Sequence, residues 1–430
     1  VVTDERGRWD RSVTGLLVSV FCGSAALMAS QTALGKLVYD MTHSKLDLGL
    51  VGLAEFAPAA LLVFVTGAVA DRFDKRKVSV VGVTVEAIAA IALAVYAGSH
   101  PTSPLPVFGL VVVFGVGRAF AAPATRALPS SLVPSAVLPW LVARNAATWQ
   151  AAIIVGPVLG GFLYAADPSL PFFAMALLLG IAGVAILLVR SSAAHAPAAA
   201  SAPVPQAVVE AGAGHREPEV PPRAGLHDAF EGLRFIRAQP LLLGAISLDL
   251  FAVLFGGAIA LLPAIATDRL HVDAVGLGWL RAAGGMGAAV VTLMLARRPL
   301  RHKVGRRLLA CVALFGAFTI VLGVTHSFVV AFVAMAVLSG ADAVSVIIRS
   351  TLVPLATPEE KRGRVLAVEN VFIGASNELG AFESGVAGQL LGTSRAVALG
   401  GAATLVVAAT WWLRFPALRD VDQFPDPVSR

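Results

Sequence analysis

Ionisable side chains are scarce in the long apolar stretches of this sequence. Those present include Glu55, Glu86, Arg118, Asp249, Arg281, Asp342, Arg349, Glu369, Glu378 and Glu383. A charge at bilayer depth is costly, so each must face water, a partner or a cavity. Carboxylates and arginines so placed can bind ions and exchange protons. Bond-making chemistry lacks its parts. No His, Cys, Ser or Asp grouping has reactive spacing, none of the His has metal-ligand spacing, and no phosphate-cradling loop is present. Cys22 and Cys311 lie inside apolar runs and read as small core residues. The sequence therefore points away from an enzyme and calls for no metal and no cofactor.

Depth suggests one pairing. Arg281 and Glu383 each lie roughly 10–12 Å in from the same end of their segments, at about 1.5 Å per residue, which predicts an ion pair or a shared water. Asp342 and Arg349 share one helix face two turns apart and need other partners. The stretch from Gly374 to Gly385 (Gly-Ala-Ser-Asn-Glu-Leu-Gly-Ala-Phe-Glu-Ser-Gly) is too polar to face lipid. Within it, Glu378 is either a proton carrier near the midplane or part of a hydrogen-bonded packing seam. Gln31 and Lys36 add polar groups to the first apolar stretch.

The elements that position these residues are membrane-length helices. The chain has 430 residues, is 57% hydrophobic and only 14% charged, and its mean hydropathy is +0.80; a soluble core could not hide that much apolar surface. The apolar runs predict twelve spans of about 20 residues: 13–38, 48–70, 78–98, 105–127, 138–164 and 169–189, then 240–266, 274–296, 307–325, 328–350, 365–391 and 395–414. The predicted fold class is an all-α polytopic membrane protein. Its divisions are a six-helix bundle over 1–190, a linker over 191–239 and a second bundle over 240–430. The linker begins with an Ala/Pro/Val-rich stretch and ends in residues 226–237, whose apolar positions follow helical spacing. That end predicts an amphipathic helix on the membrane face.

The basic residues sort by side. With both termini inside, the inner segments hold Arg6, Arg8, Arg11, the 72–77 turn, the linker, the run 297–307, Lys361, Arg362, Arg364, Arg414 and Arg419. The opposite loops hold Lys45, Arg269 and Arg395. This is the positive-inside asymmetry. It accounts for the net charge of +6 and removes the need for a nucleic-acid partner. The polar start and long first span argue against a cleavable signal peptide.

Between the second and third spans lies Gly67-Ala-Val-Ala-Asp71-Arg72-Phe-Asp-Lys75-Arg76-Lys77, a basic turn that either only fixes topology or also gates. Its spacing resembles the signature loop of the major facilitator superfamily, with Asp74 where a Gly is usual. The fifth span carries Gly156-Pro157-Val-Leu-Gly160-Gly161, which resembles the fifth-helix motif of proton-coupled exporters in that superfamily, with Ala152 replacing the usual upstream Gly. Read without the resemblance, it is a packing kink. Arg118 corresponds in place to a fourth-helix Arg of drug exporters, although Ala121 stands where a Gln is common; it is equally read as a structural ion pair. The run Thr357-Pro-Glu-Glu-Lys-Arg-Gly-Arg364, with Arg118-Ala-Phe-x-x-Pro123, resembles the enterobactin-exporter-like and macrolide-efflux-like branch.

The resemblance implies a major facilitator fold of twelve transmembrane helices in two six-helix bundles. It places Arg118, Asp249 and Asp342 on the cavity, Glu55 and Glu378 beside it, and Glu86 at the periphery. Asp71, with Gly67, Arg72 and Arg76, becomes a conformational latch against the start of the eleventh helix. It implies proton-coupled efflux of a small amphipathic, drug-like or siderophore-like molecule by alternating access. The protein would be a monomer in a bacterial inner membrane, and its partners would be substrate, protons and the lipid bilayer. A lipid flippase and a non-transporting membrane receptor are the competing readings.

Overall fold

The computed structural model describes residues 11–126, 128, 132–133, 137–188 and 226–425; the side chains of 11, 63, 64, 67, 68, 70, 71, 126 and 226–229 lie outside the described set. Twelve long helices fill it: α1 (Arg11–Thr42), α2 (Lys45–Arg72), α3 (Lys75–Gly98), α4 (Leu105–Arg126), α5 (Leu138–Ala166), α6 (Leu170–Leu188), α7 (Pro240–Phe255, with an irregular continuation to Arg269), α8 (Ala274–Arg297), α9 (Val304–Val324), α10 (Phe328–Leu355), α11 (Glu359–Leu391) and α12 (Thr393–Arg414). No strand occurs among the described residues.

Local chemistry sets the ends. Ser44 caps α2 by accepting from the Asp47 N–H, Asp74 caps α3 through Arg76 N–H, and Asp273 caps α8 through Gly276 N–H; each satisfies a donor the first turn leaves open. Gly392, at φ 83°, ends α11 where a side chain would be strained. The amphipathic linker helix runs Leu226–Ala238 and is separated from α7 by extended Gln239 and by Pro240 at the first helical position. It packs on the start of α11, where Arg364 meets Glu231 at 2.8 Å and Lys361 lies over the Phe235 ring.

Ten of the twelve helices, judged on described residues, are long and apolar enough to cross a membrane; the other two are α2 and α11. In α11 the reason is its burden of Glu369, Asn370, Asn377, Glu378 and Glu383. It packs its polar length against α2 and α7 rather than lipid.

The chain is continuous but α7 is not a single helix. It breaks at Gly256–Gly257, continues as a 3-10 turn (Ala258–Leu261), and ends in a π-helical turn (Ile265–Arg269). The span expected over 240–266 is present as Pro240–Arg269, with this break inside it. Close packing explains the break: a Cβ on Gly257 would fall 2.4 Å from the Gly380 carbonyl of α11, and one on Gly256 would meet the Phe315 ring.

The two halves join chiefly along two seams, α2 on α11 and α5 on α8. We call the end where α6 stops and the linker helix starts the linker end, and the opposite one the far end. Hydrophobic clusters show which end is clasped. At the far end, Tyr39 and Leu48 of the first half pack into the core of the second, and Ala274 of the second packs into that of the first. At the linker end each half keeps its own cluster, Ile236 to Leu418 in one and Val13 to Ile186 in the other. There the C-terminal residues fold back on α9: Asp422 accepts from Lys303 N–H and sits 3.0 Å from His302 Nδ1. Those contacts hold its carboxyl below the ordinary range.

Candidate functional site: a charged cavity between the two halves

A cavity of about 250 Å³ lies between the bundles, lined from α1, α2 and α5 on one side and α7 to α11 on the other. Its walls are mostly apolar, with Met28, Leu34, Val51, Ile153, Phe315 and Met335 among them. Glu55, Asp249, Asp342 and Glu378 line it together with Arg281 and Arg349. An apolar pocket with a few convergent polar groups is the usual form of a small-molecule site.

Asp249 and Arg349 form a close charge contact, at 2.6 Å, with side chains 7% and 4% exposed. Arg349 also reaches Ser345 Oγ at 3.4 Å. Both belong to the second half. Burial of such a pair is offset by its mutual attraction only while both partners remain. Arg281 behaves differently. It shares the cavity with Glu55 of α2, across the boundary between the halves, whose charge acts on it, and its guanidinium reaches α1 closely enough that a Cβ on Gly35 would lie 3.7 Å from Nη2.

The ion pair expected between Arg281 and Glu383 is not formed; the carboxylate whose charge acts on Arg281 is Glu55, which lines the same cavity, and the hydrogen-bond partner of Glu383 is its own neighbour Ser384. Depth alone could not choose between them. α8 packs on α5 and α10 while α11 packs on α2 and α7, so the two residues start from opposite sides of the second bundle. Arg118 is not among the residues lining the cavity. Gly115 and Gly117 let α4 close on α2 and α3, with Gly117 against the Gly82 carbonyl and buried Glu86.

Gly67 and the side chain of Asp71 lie outside the described residues. Arg72 is exposed, and Arg76 donates to the Leu187 carbonyl at 2.6 Å, closing the end of α6 within its own bundle. The fifth-helix motif faces two ways. Gly156 and Gly160 abut Ala25 and Ala29 of α1, while Pro157 and Gly161 abut Gly278 and Ala274 of α8.

One group of residues was not foreseen. At the far end the Tyr39 hydroxyl donates to Asp268, Lys45 lies 3.4 Å from the same carboxylate, and the Lys45 N–H donates to Gln389. Asp268 sits in the π-helical turn, and its neighbour Arg269 holds the Gly323, Val324 and Thr325 carbonyls of its own half. Adjacent opposite charges at the end of an apolar span were the only sequence signal.

The family model of the Major Facilitator Superfamily matches residues 16–381. Among curated proteins, the Enterobactin exporter EntS of Escherichia coli O1:K1 is 25% identical over 90% of this chain and 88% of its own length; that of Shigella flexneri is also 25% identical with the same coverage. Solved structures of the same fold include a bacterial homolog of the human lysosomal transporter Spinster, inward-facing and unoccupied (TM-score 0.69, 14% identity, 96% of this chain and 98% of that one). A POT family transporter in complex with 5-aminolevulinic acid superposes with TM-score 0.70 at 10% identity, over 95% and 96% of the two chains.

Proposed function

The chain belongs to the major facilitator superfamily and is a multi-pass membrane transporter rather than an enzyme, and on that premise we propose that it is a proton-coupled exporter of a small amphipathic molecule. Its setting is a bacterial inner membrane, with the linker end and both termini in the cytoplasm, as the sorting of Lys and Arg favours. The observation that carries the reading is the cavity: apolar, lined from both halves, holding six ionisable side chains, and capped at the far end by contacts between the halves. Rocking the halves about the two glycine seams would open the far end and close the linker end, presenting one site to each side in turn.

Glu378 is the proposed proton carrier. It is buried on α11 with an oxygen against Gly52 of α2, so its charge state bears directly on a seam between the halves. Asp342 is the second candidate. Asp249 is assigned to holding Arg349, and the Asp71 latch at the linker end remains part of the proposal. Siderophore export is the narrower form of this reading, supported by the similarity to the Escherichia coli enterobactin exporter.

The test is transport into and out of proteoliposomes with an imposed proton gradient, across a panel of amphipathic compounds. Gradient-dependent movement of at least one compound, lost in Glu378→Gln and Asp342→Asn, is the result expected. Transport indifferent to the gradient in the unaltered protein would overturn proton coupling.

A further inference from the structure

The two arginines of the cavity are held in opposite ways. Arg349 is locked: buried, 2.6 Å from Asp249, with Ser345 as a second partner, all within one half. Arg281 is held loosely. It opens on the cavity, the carboxylate whose charge acts on it, Glu55, belongs to the other half, and its Nε is buried with no hydrogen-bond acceptor. A guanidinium built into a permanent pair satisfies its donors; here the buried Nε donor is left without an acceptor.

The charge of the lining points the same way. Four carboxyl groups stand against two guanidiniums in a mostly apolar chamber, so the lining carries more acidic than basic groups. Such a chamber favours a molecule with an apolar body and a positive group. Phe315 adds an aromatic ring to the lining, a residue type that attracts cations.

We infer that Arg281 is a tethered stand-in for the substrate's own cation: it faces Glu55 while the site is empty, and the positive group of an amphipathic organic cation takes its place. The inference rests on the cavity being the transport site. It makes Arg281 and Glu55 specificity-determining residues. It also supplies a trigger, because displacing Arg281 removes an attraction that crosses from α8 to α2. Arg349 and Asp249, inside one half, cannot do this.

The probes are tetraphenylphosphonium and tetraphenylborate, which share a shape and differ in sign of charge. Binding of labelled tetraphenylphosphonium is measured on the purified full chain in detergent, and its movement in proteoliposomes. The unaltered protein should bind the cation, and tetraphenylborate should not compete. Arg281→Gln should bind the cation about tenfold more tightly, because the internal competitor is gone. The same variant should turn over more slowly, because the empty site no longer resets, so KM and kcat fall together. Glu55→Gln should weaken binding about tenfold or more. Arg281→Lys keeps the tethered charge and should restore the affinity of the unaltered protein, which separates this role from a purely structural one.

No binding of the cation, displacement of it by tetraphenylborate, or an Arg281→Gln variant that binds it no more tightly would each overturn the inference. If the cation moves under a proton gradient faster than in protein-free vesicles but Arg281→Gln binds it more weakly, the inference falls and the transport reading stands. If affinity rises as stated but movement does not exceed that of protein-free vesicles, the transport reading falls instead.

Discussion

Where α5 crosses α8, the backbones nearly touch: a Cβ on Gly161 would fall 2.3 Å from the Ala274 carbonyl, and one on Gly278 would fall 2.6 Å from that of Pro157. Where α2 crosses α11, glycines do the same job, with a Cβ on Gly49 lying 2.9 Å from the Ala381 carbonyl and one on Gly385 lying 2.9 Å from that of Lys45. The geometry is shared but the chemistry differs. The α5–α8 seam is closed by close backbone contacts, with a hydrogen bond from Gln150 to the Gly285 carbonyl. The α2–α11 seam carries Glu55, Glu378 and Asn377 on the cavity and Lys45 with Gln389 at the far end. A neutral seam can act as a passive pivot, since small residues allow close helix contact without a charge state. A charged seam can feel what the cavity holds. The comparison assigns movement to one side and sensing to the other.

The largest effect should come from overfilling the pivot. Gly161→Leu has no room at the Ala274 carbonyl, and overpacking of this kind costs about 1–3 kcal/mol. Transport should fall at least about tenfold, the factor that 1.4 kcal/mol represents, while the purified protein remains monodisperse. Normal transport by this variant would mean that the α5–α8 seam is no pivot. Next is Glu378→Gln on the sensing seam. Gradient-driven transport should be lost, yet substrate exchange without a gradient should survive, because alternation itself does not need the proton. Loss of both would make Glu378 a packing residue.

A smaller shift should follow Tyr39→Phe, which removes one hydrogen bond to the Asp268 carboxylate. A hydrogen bond to a charged group contributes about 1.5–3 kcal/mol, so the far end should open about tenfold more often, read as faster alkylation of a cysteine placed at Leu48 in a Cys22→Ser, Cys311→Ser background. Unchanged alkylation would remove the far-end contact from the account. Smallest is Arg76→Ala. Its partner, the Leu187 carbonyl, belongs to the same bundle, so thermal stability should drop by about 1 kcal/mol with transport unaltered. A large transport defect would return Arg76 to a gating role.

Much of this arrangement was legible in the sequence where a residue type carries an intrinsic cost. The polar run from Gly374 to Gly385 could not face lipid, and α11 does lie between α2 and α7. The glycines of the fifth span announced close contact, and they touch α1 and α8. What could not be read was rotation about each helix axis and the choice of neighbours. Arg281 matched Glu383 in depth, but which carboxylate it meets depends on where α8 and α11 stand around the bundle. Tyr39 and Asp268 are separated by 229 positions, and no local pattern links them. The break in α7 after Phe255 was not read, because apolar composition marks a span without showing an interruption inside it.

Spin-label distances taken across both ends of the molecule test the central claim most directly. One label pair, at His100 and Arg395, spans the halves at the far end; another, at Phe73 and Arg297, spans them at the linker end, all four positions being exposed. Between the empty protein and the protein saturated with a transported compound under a proton gradient, the far-end distance should lengthen while the linker-end distance shortens. Distances that stay fixed, or that grow and shrink together at both ends, would contradict alternating access to this cavity.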